Sequence, residues 1–232
     1  MFDPNHNASP FNAIPFVIVL LVIVIGGIEI VFQLASMGFI GGNSGVGWRS
    51  VAIFQFGFLD ANFEWMRTNH RYPLNALMTI VTYCFVHVEA MHAGFACVLL
   101  LAIGKFVAER FSAFSVIVIF FAGAIFGALG YGLILNEHRQ LLGAYPAVYA
   151  LIGALTFILF TEFDKTGQNR LKAFRLIGVL VGLQLLFKLI GAGGNDWVAD
   201  VCGFLTGFLL SFVLAPDGKV RIQRWIAQSR NR

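Results

Sequence analysis

The sequence predicts an all-α membrane protein: a bundle of six transmembrane helices with both ends of the chain on one side. Three observations predict it. Of 232 residues, 58% are hydrophobic and only 12% charged, with mean hydropathy +0.79. A soluble domain of this length needs far more polar surface to cover its core. The apolar residues also gather in blocks near the ~20 residues a helix needs to cross the hydrocarbon core. Finally, Lys and Arg divide unevenly between the two sets of connecting segments.

The predicted spans are 14–37, 75–100, 114–135, 145–161, 173–190 and 197–215. The first is preceded by no Lys or Arg and is too long for the apolar core of a signal peptide, so it reads as a membrane helix. The last three are short, as befits helices buried in the bundle or ending at a water-filled depression. Between the first two spans, segment 38–74 opens with Gly38, Gly41, Gly42, Gly45 and Gly47. It continues through Trp48, Phe54, Phe56, Phe58, Phe63 and Trp65. A connection this long with aromatic anchors predicts a folded element lying at the interface. The chain thus divides into a short N-terminal segment 1–13, one membrane domain 14–215 and a basic tail 216–232. In that tail, Trp225 and Ile226 lie among arginines, the composition of a segment resting on a lipid surface.

Orientation follows from counting cations. Eleven of the 16 Lys and Arg lie after the second span, around the connection between the fourth and fifth, or in the C-terminal tail. The other five are Arg49, Arg67, Arg71, Arg139 and Lys188. The positive-inside rule then places both termini in the cytoplasm. The net charge of +4 lies in loops and tail and forms no basic face, so nucleic-acid binding is excluded. Cys84, Cys97 and Cys202 fall in or at the ends of apolar spans, without a CxxC, and read as small hydrophobes.

Polar residues inside spans are expensive and each needs a reading. The second span carries Thr82-Tyr83-Cys84-Phe85-Val86-His87-Val88-Glu89-Ala90-Met91-His92, then Ala96, and ends in Gly104-Lys105-Phe106-Val107-Ala108-Glu109-Arg110. The fourth opens with Gly143-Ala144-Tyr145-Pro146-Ala147 and continues through Tyr149 to Gly153; the sixth carries Ala199-Asp200-Val201-Cys202-Gly203 and Gly207. Together, in this order and spacing, these segments resemble the rhomboid intramembrane serine proteases over residues 75–215. The resemblance implies a six-helix rhomboid-like fold. It sets His87 and His92 on the family's two second-helix histidines, Tyr145 on the nucleophilic serine of G-x-S-G, and Asp200 on the general-base histidine. Of the two side chains that in the family help hold the oxyanion, the histidine is kept as His92 and the asparagine is Ala96; the glycine after the serine is Pro146, which has no amide to donate. The family's Trp-Arg pair before the histidines is replaced by Met78 and Thr79.

Gly143, Gly153, Gly203 and Gly207 are expected to serve close helix packing, and Glu109 with Arg110 to tie helix ends together. The resemblance implies no cofactor. It further implies, from the minimal six-span form, a bacterial inner membrane.

A phenol of pKa about 10 is a poor acyl carrier, so these residues predict a catalytically degenerate member. Such a protein would bind transmembrane segments of other membrane proteins through His87, His92, Tyr145, Tyr149 and Asp200, without cleaving them. An intramembrane serine endopeptidase and a small-molecule or proton-coupled transporter are the alternatives. Cys202 points roughly 200° around its helix from Asp200 and reads as a packing residue. Ser115 and Ser211 have no histidine at helical spacing and read as bonding their own backbone.

A metal site at His87, Glu89, His92 and Asp200 is disfavoured. Histidines five apart on one helix splay by roughly 140°, and HExxH is absent. His92, Tyr145 and Asp200 are expected to converge in a buried cluster, the Tyr145 hydroxyl reaching Asp200 directly or through one water. His87 and Glu89 are expected at the outer surface. Glu29, in the first span, is expected to pair with Gln184 or Lys188 or to lie at an interface.

Overall fold

The structure is a computed structural model that describes residues 14–135, 137–190 and 194–216. The predicted N-terminal segment and almost all of the basic tail lie outside the described residues. Among the described residues, five helices are long and apolar enough to cross a membrane: α1 (Phe16–Ser36), α6 (Ala90–Ala108), α7 (Ala113–Ile134), α8 (Tyr145–Lys165) and α10 (Trp197–Leu214). A sixth, α9 (Arg175–Leu189), has 15 residues and follows a 3-10 turn over Arg170–Phe174.

The segment between the first spans is folded, as expected. It comprises α2 (Gly42–Gly45), α3 (Trp48–Phe56), β1 (Phe58–Leu59) and α4 (Asp60–Asn69), followed by α5 (Leu74–Thr82). Strand β1 pairs antiparallel with β2 (Gln140–Leu141), Phe58 opposite Leu141 and Leu59 opposite Gln140. The inserted element is thereby fastened to the loop that leads into α8. Asp60, wholly buried, reinforces the join: its Oδ2 accepts the amides of Glu137 and His138 at 2.7 and 3.1 Å, and its Oδ1 that of Ala61. Phe58 fills the space beneath, against Phe63 and Tyr83.

The second predicted span is not one helix. It ends at a 3-10 turn over Tyr83–Phe85, runs extended through Val86 and Glu89, and resumes as α6. The backbone groups freed by this break have specific partners. The Tyr83 carbonyl accepts from the Gly143 amide at 3.0 Å, and the His87 carbonyl from Arg49 at 3.0 Å. The predicted span runs across the break, because hydropathy carries no record of where carbonyls find donors.

Helices α7, α8 and α10 form the tightest part of the bundle. A Cβ placed on Gly203 would collide with the Pro146 carbonyl, one on Gly207 with the Ala150 carbonyl, and one on Gly153 with the Phe204 carbonyl. Backbone therefore meets backbone between α8 and α10, the geometry that small residues permit in membrane helices. Cys202 packs on Gly130 of α7, which fits its reading as a packing residue. Ser211 Oγ donates to the Gly207 carbonyl in its own helix, whereas Ser115 Oγ bonds Ser112 and the Leu214 carbonyl. A continuous outer belt stays uncovered, including Phe16, Ile23 and Ile30 on α1 and Leu205 and Leu209 on α10; apolar surface of this extent faces lipid.

Candidate functional site

At one end of α8, four chain segments meet. Helix α8 begins at Tyr145 with Pro146 at its first turn, where a missing amide removes no intrahelical bond. Gly143 precedes it with φ +91°. A side chain there would also lie 2.7 Å from the His92 ring and 3.1 Å from the His87 ring, so both conformation and space require glycine.

The extended link 86–89 makes this convergence possible. It places His87 ahead of α6 and His92 on its first turn. The two rings meet edge to face at 5.2 Å instead of splaying as they would on a continuous helix. His92 then stacks on Tyr145, centroids 4.9 Å apart and planes 14° from parallel. His87 is buried rather than at the outer surface, while Glu89 is exposed. His87 Nε2 accepts the Ala144 amide at 3.2 Å, which requires an unprotonated nitrogen there. Burial above all, with neighbouring His92 and Arg49, pushes its pKa down to about 4.

Asp200 lies across from Tyr145 on α10, 2% exposed. Of the two contacts expected between Tyr145 and Asp200, the direct hydrogen bond does not form among the described residues; Gln184 on α9 donates to Asp200 Oδ2 at 2.6 Å. Tyr145 and Asp200 nonetheless line one cavity of about 140 Å3, together with His92, Leu141, Leu142, Pro146, Gln184 and Asp196. Among the described residues, Asp200 Oδ1, Gln184 Oε1 and His92 Nδ1 are buried without a hydrogen-bond partner. Tyr149 does not line the cavity; it packs in the hydrophobic core, as does Ala96. No group of three or more His, Cys, Asp or Glu among the described residues is arranged to hold a metal.

Two further residues escaped sequence reasoning. Arg49 forks onto Glu29, with Nη2 2.6 Å from Oε1 and Nη1 2.9 Å from Oε2, and spends Nη1 also on the His87 carbonyl. Glu29 therefore pairs with Arg49 and Gln33, not with Gln184 or Lys188. Lys188 bonds Asn195 instead. At the other end of the bundle, Arg110 reaches Glu162 of α8 at 3.7 Å in an exposed ion pair. Glu109 takes no side-chain part in this tie.

With this geometry in place, the comparison with protein families decides the fold. The rhomboid domain matches residues 74–217, more than half of the chain. The chain belongs to the rhomboid family. No curated protein matches it significantly. The rhomboid match begins at α5 and runs through α10, so it contains every element that builds the cavity. The inserted element between α1 and α5 lies outside the matched region, although it is pinned to the rhomboid domain by β1, Asp60 and Arg49.

Proposed function

We propose that this rhomboid protein is a pseudoprotease that binds transmembrane segments of other membrane proteins without cleaving them. The observation that carries the reading is the pair at the two dyad positions, Tyr145 and Asp200. A serine–histidine dyad works because imidazole takes the hydroxyl proton while donors wait for the oxyanion. Tyr145 is stacked on His92, and Asp200 is held by Gln184. The Ala144 amide is already given to His87. Pro146 has no amide and Ala96 no donor, so nucleophile and base are both replaced and, of the two side chains expected at the oxyanion, only His92 is kept.

Client binding is supported by the α9 side of the domain. Among its described side chains only Ile177 is buried, and Val179, Leu183 and Leu186 are exposed. A client helix laid against this face meets apolar surface with the polar cavity behind it. Spans that carry a polar residue gain most from the arrangement. The cation count supports both termini on the cytoplasmic side with the cavity near the outer face, and the minimal six-span form supports a bacterial inner membrane.

Purified protein in lipid is expected to leave model transmembrane substrates intact and to resist labelling by fluorophosphonates. Reproducible cleavage, lost on Asp200→Asn or Cys202→Ala, overturns the pseudoprotease reading. Client binding is tested by co-purification in mild detergent: specific membrane proteins are expected to be retained by the wild type and lost when the α9 face is made polar.

A further inference from the structure

A carboxylate removed from water needs a counter-charge or several donors, and burying it without them is expensive. Asp200 has one neutral donor, Gln184 Nε2, and its Oδ1 has none among the described residues. The same cavity is lined by a second carboxylate, Asp196, at its solvent-exposed edge. It also holds the unpartnered carbonyl oxygen of Gln184. The cations on the neighbouring segments are Arg139, whose charge attracts Asp196 at the edge but not Asp200, and Lys188, which is engaged by Asn195. The wall of the cavity is thus rich in acceptors and short of positive charge.

We propose that the cavity accepts the cationic head of a lysine or arginine side chain carried by a client membrane segment, with Asp200 and Asp196 as its acceptors. The proposal rests on the client-binding reading and adds to it the sign of the client's charge. About 140 Å3 corresponds to some four or five water volumes, enough for an ammonium or guanidinium and its last methylenes but not for a helix. The client backbone therefore stays outside, along α9, and only its side chain enters. Gln184 stands on α9 and occupies Asp200 until that side chain arrives. A charge-assisted bond then replaces a neutral one, while an anionic client meets two carboxylates and is refused.

The test uses the full chain in lipid nanodiscs and a fluorescent leucine–alanine peptide long enough to span the bilayer. The peptide carries Lys, Met or Glu at one position near its outer end. Lys peptide is expected to bind about tenfold or more tighter than Met peptide, and Glu peptide weakest. Asp200→Asn with Asp196→Asn brings the Lys-to-Met ratio close to one. Gln184→Leu, which frees Asp200 from its internal donor, raises that ratio and tests the site should the double variant fold poorly. Equal binding of Lys and Met peptides by the wild type overturns the cation inference and leaves client binding standing. So does a ratio that the aspartate variants do not change. No binding of any peptide overturns both.

Discussion

Arg49, on α3, holds two other segments through one guanidinium: α1, by Glu29 and the Phe32 ring 5.2 Å away, and the link before α6, by the His87 carbonyl. Its pair with Glu29 is mostly buried, and breaking such a pair leaves an uncompensated charge. Arg49→Ala is expected to destabilise the protein by about 2–4 kcal/mol, read as loss of thermal midpoint in nanodiscs; an unchanged midpoint removes Arg49 from this role. Gln184→Leu strips Asp200 of its donor and is expected to cost about 1–3 kcal/mol. Removing Asp200 as well, by Asp200→Leu, recovers part of the loss, since both polar groups leave together.

His87 adds a pH dependence whose sign is fixed by geometry. It lies outside the spanning helices, in the 86–89 link, and the folded state keeps Nε2 unprotonated to accept the Ala144 amide. Its pKa falls from the ordinary 6.5 to about 4 on folding, so the unfolded chain binds more protons between those values. Its contribution is complete above pH ~6.5 and drains away as pH falls toward ~4. Thermal midpoints measured across this window are expected to fall more steeply for the wild type than for His87→Gln. Parallel curves would show that His87 is not titrating there.

At the scale of elements, the contact between α8 and α10 is set by glycine against backbone carbonyl. Gly203→Leu is expected to prevent folding or strip most of the stability, because two touching backbones cannot admit a branched side chain. Gly178→Leu on α9 is the matched control, since nothing lies within 4 Å of a Cβ placed there. Equal expression and melting of the two variants would place the tight contact elsewhere. The interrupted helix between α5 and α6 works in the opposite sense: by ending one helix and beginning another, it brings two histidines and Gly143 into one cluster. The small β1–β2 pair and Asp60 then hold the loop before α8 against the inserted element, fixing where α8 begins.

Across the whole molecule, the proposed pseudoprotease reading rests on several substituted positions at once. Tyr145→Ser with Asp200→His rebuilds only the dyad. This double variant is expected to remain without proteolysis, because Pro146 and Ala96 still supply no donor and the Ala144 amide stays bonded to His87. Cleavage of a model transmembrane substrate by the double variant would show that the scaffold retains a working oxyanion site.

The sequence by itself determined the membrane setting, the order of the spans, the rhomboid fold and the tight packing at Gly203 and Gly207. Each of these is written in patterns that act locally: apolar length against bilayer thickness, and small residues at fixed spacing. Two kinds of feature were decided only by the tertiary structure. One is the break at 86–89, which depends on donors from Arg49 and Gly143, remote in sequence, rather than on hydropathy. The other is the choice of polar partners: Glu29 with Arg49, Asp200 with Gln184, Tyr145 with His92. A chain records which groups need a partner inside the membrane, but several candidates satisfy that need equally on paper. Which one arrives depends on helix ends and crossing angles that exist only once the bundle has closed.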